Sequence, residues 1–296
     1  MRNFILSTLV LAVALPACGD DNKSNSGTGP HQRCARGTLA LGIARTGEVG
    51  EGDCAFDLSS FSEGFYDSYS VALTQGRAYQ VQVDATGRPL DTFVEVVSPR
   101  GAVVAESDDD FRSLDSELFL LASQTGTYGI RAGGLYADAT GPYRVTVREC
   151  GATTLSSTAT ISGTLSASDC RSTFLAGPDS SFVDLYVLQN TGSSRTITVM
   201  SSSFVPALGI FGPLFASKDS DFVSGTAPGS PATFNFPAGL LPGSYIVIVG
   251  ATTSFGATGS YTIQASSAIA SNAASPMRSS ESRSPFSRKG VGERTR

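Results

Sequence analysis

The chain contains two copies of one sequence unit, and this repeat constrains the fold more than any other feature. An offset of 116 to 118 residues relates Cys34 to Cys150, Cys54 to Cys170, Asp67-Ser68-Tyr69 to Asp184-Leu185-Tyr186, Gly126-Thr127-Tyr128 to Gly243-Ser244-Tyr245, and Gly141-Pro142-Tyr143 to Gly259-Ser260-Tyr261. A nearly constant offset over this many landmarks indicates a tandem duplication. The repeat predicts two domains of the same fold, at 34–149 and 150–266.

Each unit has the residue pattern of β-strands. Apolar residues occupy every second position in several segments, such as Tyr79-Val81-Val83, Tyr143-Val145-Val147 and Tyr261-Ile263-Ala265. This period indicates strands with one apolar face, and Gly, Pro, Asp and Ser separate them as turns do. We therefore predict an all-β chain with two tandem antiparallel β-sandwich domains of jelly-roll-like type.

Residues 1–18 have the organisation of a lipoprotein signal peptide. A basic start at Arg2 precedes a short apolar segment, 4–15, which is too short to span a hydrocarbon core of about 30 Å as a helix. The sequence Leu15-Pro16-Ala17-Cys18 then resembles a bacterial lipobox, in which Cys18 receives the lipid. The alternative is an ordinary secretory signal that is cleaved near Ala17.

Residues 19–33 are rich in Gly, Ser, Asn and Asp and show no apolar periodicity, which is typical of a flexible tether. A tether behind a lipidated cysteine would hold the repeats close to a membrane. We therefore expect an exported protein, anchored in the membrane through its lipid and facing the periplasm or the cell surface.

The remaining four cysteines are predicted to form two disulfides. Four cysteines allow three pairings, and the repeat selects Cys34 with Cys54 and Cys150 with Cys170, because these pairs have equal spacing. A metal site is the competing interpretation, but CxxC spacing and histidine partners are absent. Persistent disulfides agree with export to an oxidising compartment.

Composition narrows the functional classes. The net charge of −5 argues against a nucleic-acid partner. The single histidine, His31, lies in the tether and leaves one candidate base for a Ser-His-Asp triad. Residues 267–296 are Ser-rich and basic, and we predict a disordered tail; the alternative is an arm that docks on an anionic surface.

The ordered landmarks resemble the bacterial pre-peptidase C-terminal domain, a β-sandwich found at the ends of secreted proteases. The first unit carries the resemblance through Asp67, Tyr69, Asp91-Thr92-Phe93-Val94-Glu95, Pro99-Arg100-Gly101, Asp108-Asp109-Asp110, Gly126-Thr127-Tyr128 and Gly141-Pro142-Tyr143. The second unit keeps Asp184, Tyr186, Asp219, Asp221, Tyr245 and Tyr261, with Pro206 in place of Asp91. The resemblance implies a non-catalytic, extracytoplasmic module for binding or for envelope or secretion support, with no enzymatic activity.

The first unit also contains a candidate calcium site. Ca²⁺ prefers six to eight oxygen ligands, and the candidate ligands are carboxylates, namely Asp67, Asp91, Asp108, Asp109 and Asp110. We expect Asp108–Asp110 to occupy a turn between two strands and to converge with the other two at one end of the sandwich. The spacing does not match an EF-hand loop, and the alternative is a solvated acidic turn.

Two alternative functions remain open at this point. A carbohydrate-binding surface module could use Tyr66, Tyr136 and Phe65 in place of the absent Trp. A carboxylate-based hydrolase would use the acidic set Asp108, Asp109, Asp110, Asp115 and Glu117. The expected partners are the membrane, through the lipid, and an unknown surface protein or glycan.

The lipobox can be tested by the Cys18→Ser substitution. We expect the variant to appear in soluble fractions, or to keep its signal peptide, because the lipid acceptor is gone. Fractionation followed by mass measurement of the N-terminus checks this outcome. Membrane retention with normal processing would contradict the lipobox assignment.

Overall fold

The structure is a computed structural model, and it describes residues 34–56, 64–87, 90–108, 113–156, 160–175, 180–212, 221–239, 241–252 and 256–267. All of these belong to one compact unit. The predicted signal peptide, lipidated Cys18, the tether with His31 and the basic tail beyond Ser267 lie outside the described residues.

The described residues of the first repeat form ten strands. They are β1 (Ala35–Thr38), β2 (Arg45–Val49), β3 (Cys54–Ala55), β4 (Phe65–Leu73), β5 (Ala78–Ala85), β6 (Thr92–Val97), β7 (Val103–Ser107), β8 (Ser116–Leu121), β9 (Gly126–Gly134) and β10 (Gly141–Cys150).

The second repeat follows the same order. Its strands are β11 (Ala152–Leu155), β12 (Thr160–Leu165), β13 (Cys170–Ser172), β14 (Ser181–Asn190), β15 (Arg195–Met200), β16 (Pro206–Phe211), β17 (Asp221–Ser224), β18 (Ala232–Phe236), β19 (Gly243–Ala251) and β20 (Gly259–Ser267).

Each repeat builds two sheets with matching strand orders. The first repeat has a sheet β1-β4-β9-β6-β7, with β3 paired to β4, and a sheet β2-β10-β5-β8. The second has β11-β14-β19-β16-β17, with β13 paired to β14, and β12-β20-β15-β18. The predicted all-β class with two sandwiches is therefore confirmed, and the duplication seen in sequence is a duplication of topology.

The sequence pattern predicted antiparallel sheets, but each repeat also contains one parallel pair of strands. The first strand of each repeat is parallel to its neighbour, β1 to β4 and β11 to β14. The alternation of apolar residues does not report strand direction, because both pairings place successive side chains on opposite faces. The other pairs in each repeat that the structure describes are antiparallel.

The alternating residues fill a separate core in each sandwich. Val81, Val83, Val145 and Val147 are fully buried between the first two sheets. Ile197, Val199, Ile263 and Ala265 do the same in the second sandwich. A third apolar cluster joins the sandwiches, where Phe119 of β8 packs with side chains of the second repeat.

Both predicted disulfides are confirmed. Cys34 is bonded to Cys54 with a Cα–Cα distance of 5.5 Å, and Cys150 is bonded to Cys170 at 5.7 Å. The first bond joins the residue just before β1 to the first residue of β3. The second bond joins the last residue of β10 to the first residue of β13. Within the described ranges, the chain forms no helix that is long and apolar enough to cross a bilayer.

The pairing predicts a particular pattern of stability changes. Cys34→Ser, Cys54→Ser and the double variant should all lose the same stability, on the order of 3 kcal/mol, because each change breaks one shared bond. Chemical denaturation of the three proteins measures this. Losses that add up in the double variant would contradict the pairing.

Candidate functional site

The repeated Asp-x-Tyr and Gly-x-Tyr motifs meet in a buried triad. Asp67 is fully buried on β4 and accepts a hydrogen bond from the Tyr143 hydroxyl of β10 at 2.7 Å. The hydroxyls of Tyr143 and Tyr69 lie 2.8 Å apart. Because β4 and β10 belong to opposite sheets, the triad joins the two layers of the first sandwich.

The second sandwich repeats this triad. The Tyr261 hydroxyl donates to Asp184 at 2.5 Å, and the Tyr186 and Tyr261 hydroxyls lie 2.7 Å apart. A glycine faces the tyrosine in both repeats: a Cβ at Gly47 would overlap the Tyr143 hydroxyl, and one at Gly163 would overlap the Tyr261 ring. The landmarks recognised in sequence are therefore parts of the structural skeleton.

The remaining landmark tyrosines also have a structural role. The Tyr128 hydroxyl donates to the carbonyl of Gln124 at 3.1 Å, and the Tyr245 hydroxyl donates to the carbonyl of Leu241 at 3.0 Å. Both bonds run four residues back along the chain, as in the tyrosine corner of β-sandwich domains. The bonds fix the loop that enters β9 and β19.

The two triads differ in their electrostatic surroundings. In the first repeat, Arg36 donates to Asp67 at 2.5 Å and to Asp53 at 3.0 Å. Burial raises the pKa of Asp67, and the hydrogen bonds from Tyr143 and Arg36 oppose that shift. In the second repeat Ala152 stands in place of Arg36 and offers no hydrogen bond to the carboxylate. Burial raises the pKa of Asp184, and the hydrogen bond from Tyr261 alone opposes that shift.

A surface cavity of about 1050 Å³ opens beside the first triad. Its walls include Arg36, Arg45, Glu48, Asp53, Asp67 and Tyr69. A cavity of about 520 Å³ occupies the related position beside the second triad, with walls that include Ser162, Gly163, Thr164, Met200 and Tyr261. The first cavity is charged and the second is uncharged.

Arg45 is the cation of the first cavity that has no carboxylate partner among the described residues. Its guanidinium donates to the carbonyl of Thr38 at 3.3 Å and lies 5.6 Å from the centre of the Tyr69 ring. Among the described residues it forms no ion pair, whereas Arg36 is shared by two carboxylates. Arg45 can therefore offer donors to an incoming acceptor.

The predicted calcium ligands that the structure describes, Asp67, Asp91 and Asp108, do not form one cluster. Asp67 belongs to the triad, whereas Asp91 and Asp108 interact with each other elsewhere. Asp109 and Asp110 lie outside the described residues. The strands that flank this acidic segment, β7 and β8, belong to different sheets and do not pair with each other.

Asp91 has an unusual environment. Its Oδ1 atom is buried and has no hydrogen-bond partner among the described residues. Burial together with the charge of Asp108 raises the pKa of Asp91 to about 6. An oxygen of this kind suits a cation ligand. Within the described part of the chain, however, no group of three acidic, histidine or cysteine side chains is arranged to hold a metal.

The acidic set considered for hydrolysis is also divided. Asp115 accepts a hydrogen bond from the backbone amide of Ala85 at 2.8 Å. Glu117 is buried on the outer side of β8, where it accepts bonds from Gln80 and Thr173. These carboxylates thus have different surroundings and face different parts of the fold.

The aromatic residues considered for sugar binding are mostly engaged. The Tyr66 ring lies 4.6 Å from that of Phe56, and the Arg131 guanidinium lies 5.2 Å from its centre. Phe65 is half-buried against the first core, and Tyr136 is 36% exposed. Phe65 and Tyr66 are successive residues of β4 and therefore face opposite sides of its sheet.

A polar cluster that the sequence did not predict links the two sandwiches; it consists of Gln80, Glu117 and Thr173. Gln80 and Glu117 are each 1% exposed, although they occupy outward-facing strand positions. A signal was present in Leu118-Phe119-Leu120-Leu121, which is apolar on both faces of β8. Such a run indicates a strand that is covered on both sides.

Comparison with known proteins gives structural matches only, since no family model and no curated protein matches the sequence. The pre-peptidase C-terminal domain of a Bacillus anthracis collagenase matches at 20% identity and a TM-score of 0.28, over 40% of this chain and 97% of that chain. The CUB1-EGF-CUB2 domains of rat MASP-1 match at 9% identity and 0.21, over 78% and 100%.

A tandem CBM22 domain of Xyn10C from Paenibacillus barcinonensis matches at 8% identity and a TM-score of 0.21, over 77% of this chain and 93% of that chain. These values are too low to bear on function.

Proposed function

We propose that the chain is a non-catalytic binding protein, displayed outside the cytoplasm on a lipid anchor at Cys18. Its two sandwiches are proposed to be pre-peptidase C-terminal-like domains, an assignment supported by the ordered sequence motifs. The charged cavity of the first sandwich is the proposed binding surface. An enzymatic role as a carboxylate hydrolase is not part of this proposal.

The two disulfides support the location. One disulfide in each repeat is typical of a protein that folds in an oxidising compartment. The apolar segment and the lipobox-like sequence that ends at Cys18 support export through a signal peptide and attachment through a lipid.

The comparison of the two cavities carries the binding proposal. The repeats keep the same buried triad, yet the walls beside it differ: Arg36, Arg45 and Glu48 in the first, and Ser162 and Thr164 in the second. A duplicated scaffold with a constant skeleton and a variable surface is suited to ligand recognition, since function depends on the site more than on the fold. The mixed charges favour a polar ligand, such as an envelope glycan with acidic groups or a surface protein.

We also propose Ca²⁺ as a ligand of the first sandwich, held by Asp91 and Asp108, with Asp109 and Asp110 as further candidates. The buried, unpartnered Oδ1 atom of Asp91 favours this second proposal. Asp67 is omitted here because Tyr143 and Arg36 already occupy its oxygens.

The calcium proposal predicts a change in melting temperature. After treatment with chelator, millimolar Ca²⁺ should raise the melting temperature of the full chain, because the ion binds only the folded state. Asp91→Asn should remove that rise. Without calcium, the same substitution should increase stability above pH 6, since the ionised carboxylate is disfavoured in the folded state. No shift with Ca²⁺ in the unmutated protein would refute the site.

The binding proposal predicts a difference between the two cavities. On an array of acidic and neutral glycans, and in capture from envelope extract, Arg45→Ala should reduce binding by about tenfold, the effect of losing about 1.4 kcal/mol of charged hydrogen bonding. Thr164→Ala in the second cavity is the matched control and should bind normally. Equal binding by wild type and Arg45→Ala would contradict the site. Release of new reducing ends from a bound glycan would contradict the non-catalytic role.

A further inference from the structure

The two sandwiches are joined by an apolar junction. It buries the outer side of β5 and β8 against the outer side of β14, β16 and β19. Three aromatic rings form its centre, with Phe119 lying 5.9 Å from Phe211 and 6.4 Å from Phe174. The buried area of the junction therefore favours a docked arrangement of the two repeats.

One carboxylate lies within this junction. Glu117 is 1% exposed and accepts hydrogen bonds from Gln80 Nε2 at 2.7 Å, from the Thr173 hydroxyl at 2.7 Å and from the Thr173 backbone amide at 3.1 Å. Gln80 also donates to the carbonyl of Arg171. Glu117 is thus held by both repeats, and undocking of the second repeat would remove the Thr173 donors and admit water.

No cation compensates the charge of Glu117 among the described residues. The charged side chains on the surrounding strands are engaged elsewhere or exposed. Arg148, which lies opposite Gln80 on β10, is exposed. The others are Arg77 with Glu149, Asp84 with Arg144, Glu95 with Arg131, Asp115 with the Ala85 amide, Arg171 with Ser180, Asp184 with Tyr261, and Glu106 on the other sheet. An unpaired buried carboxylate is costly to ionise, although its hydrogen bonds offset part of that cost.

We propose that Glu117 is a pH-sensitive latch between the two sandwiches, which holds them together most firmly in mildly acidic medium and loosens their docking as the medium approaches neutrality. This device is independent of the proposed binding function. The fraction of molecules with undocked repeats would then depend on the pH outside the cytoplasm.

The direction follows from proton linkage. Burial raises the pKa of Glu117 to about 7 in the docked state, whereas a hydrated glutamate in the undocked state returns to its ordinary value of 4.5. The docked state therefore binds the proton more tightly. The equilibrium constant for undocking rises between pH 4.5 and 7, by at most tenfold per pH unit, and then levels off.

Hydrogen exchange of the full chain tests the latch. After correction for the intrinsic exchange rate, amides of β8 and β13 should lose at least about tenfold protection between pH 5 and 7.5, as the linkage requires. Amides of β9 and β20, which lie away from the junction, exchange through global unfolding and should keep higher protection than β8 and β13 at both pH values, which identifies the opening at β8 and β13 as local. In Glu117→Gln the pH dependence at β8 and β13 should disappear.

Glu149→Gln is the matched control, because Glu149 is a partly exposed carboxylate paired with Arg77 at 3.3 Å, and it should retain the wild-type response. A second variant keeps the test decisive if Glu117→Gln fails to fold: Thr173→Val removes a donor to the charged carboxylate, so the response should extend to higher pH. The proposal would be overturned if protection in the wild type did not change with pH. It would also be overturned if Glu117→Gln kept the wild-type pH response, or if the response of Thr173→Val were not shifted to higher pH.

Discussion

Each sandwich depends on a hydrogen bond between its two sheets, which a tyrosine of β10 or β20 donates to an aspartate of β4 or β14. It connects the two sheets through Tyr143 and the fully buried Asp67 in one repeat, and through Tyr261 and the partly buried Asp184 in the other. A buried carboxylate that lost its donor would be left with its full desolvation cost. This requirement fixes the tyrosine, the aspartate and the glycine that faces the ring, and it explains why these residues remain recognisable in both copies.

The outer faces of the sheets have diverged according to what covers them. On the covered face of the second repeat, Leu185 and Ile248 are buried in the junction. The equivalent positions of the first repeat are Ser68 and Arg131, and Arg131 pairs there with Glu95 at 3.0 Å. The same sheet face is therefore an apolar docking face in the second repeat and a polar face in the first repeat.

The sequence predicted the skeleton well because its signals are local or periodic. The alternation around Val81 and Val145 gave the strands, and the equal cysteine spacing gave the disulfides. It did not give the parallel pairing of β1 with β4, which depends on chain direction and leaves no residue pattern. The apolar run at 118–121 indicates that both faces of β8 are covered, but it does not identify Thr173 of the other repeat as the partner of Glu117.

The candidate sites were less predictable than the fold. Five aspartates could be counted, but only the packing shows that Asp67 is committed to Tyr143 while Asp91 keeps an unpartnered oxygen. Likewise, no sequence pattern marks Arg45, which lines a cavity that several separate strands enclose.

The Cys34–Cys54 bond has a mechanical consequence. A pull applied to the chain from its N-terminal side enters the first sandwich at Cys34, and the disulfide passes it directly to β3, which is paired with β4. The intervening loop, with β1 and β2, is therefore shielded from extension. Tension is delivered instead to β4, the strand that carries Asp67 and Tyr69, so the part of the fold that bears the load is also the part that binds its two sheets together.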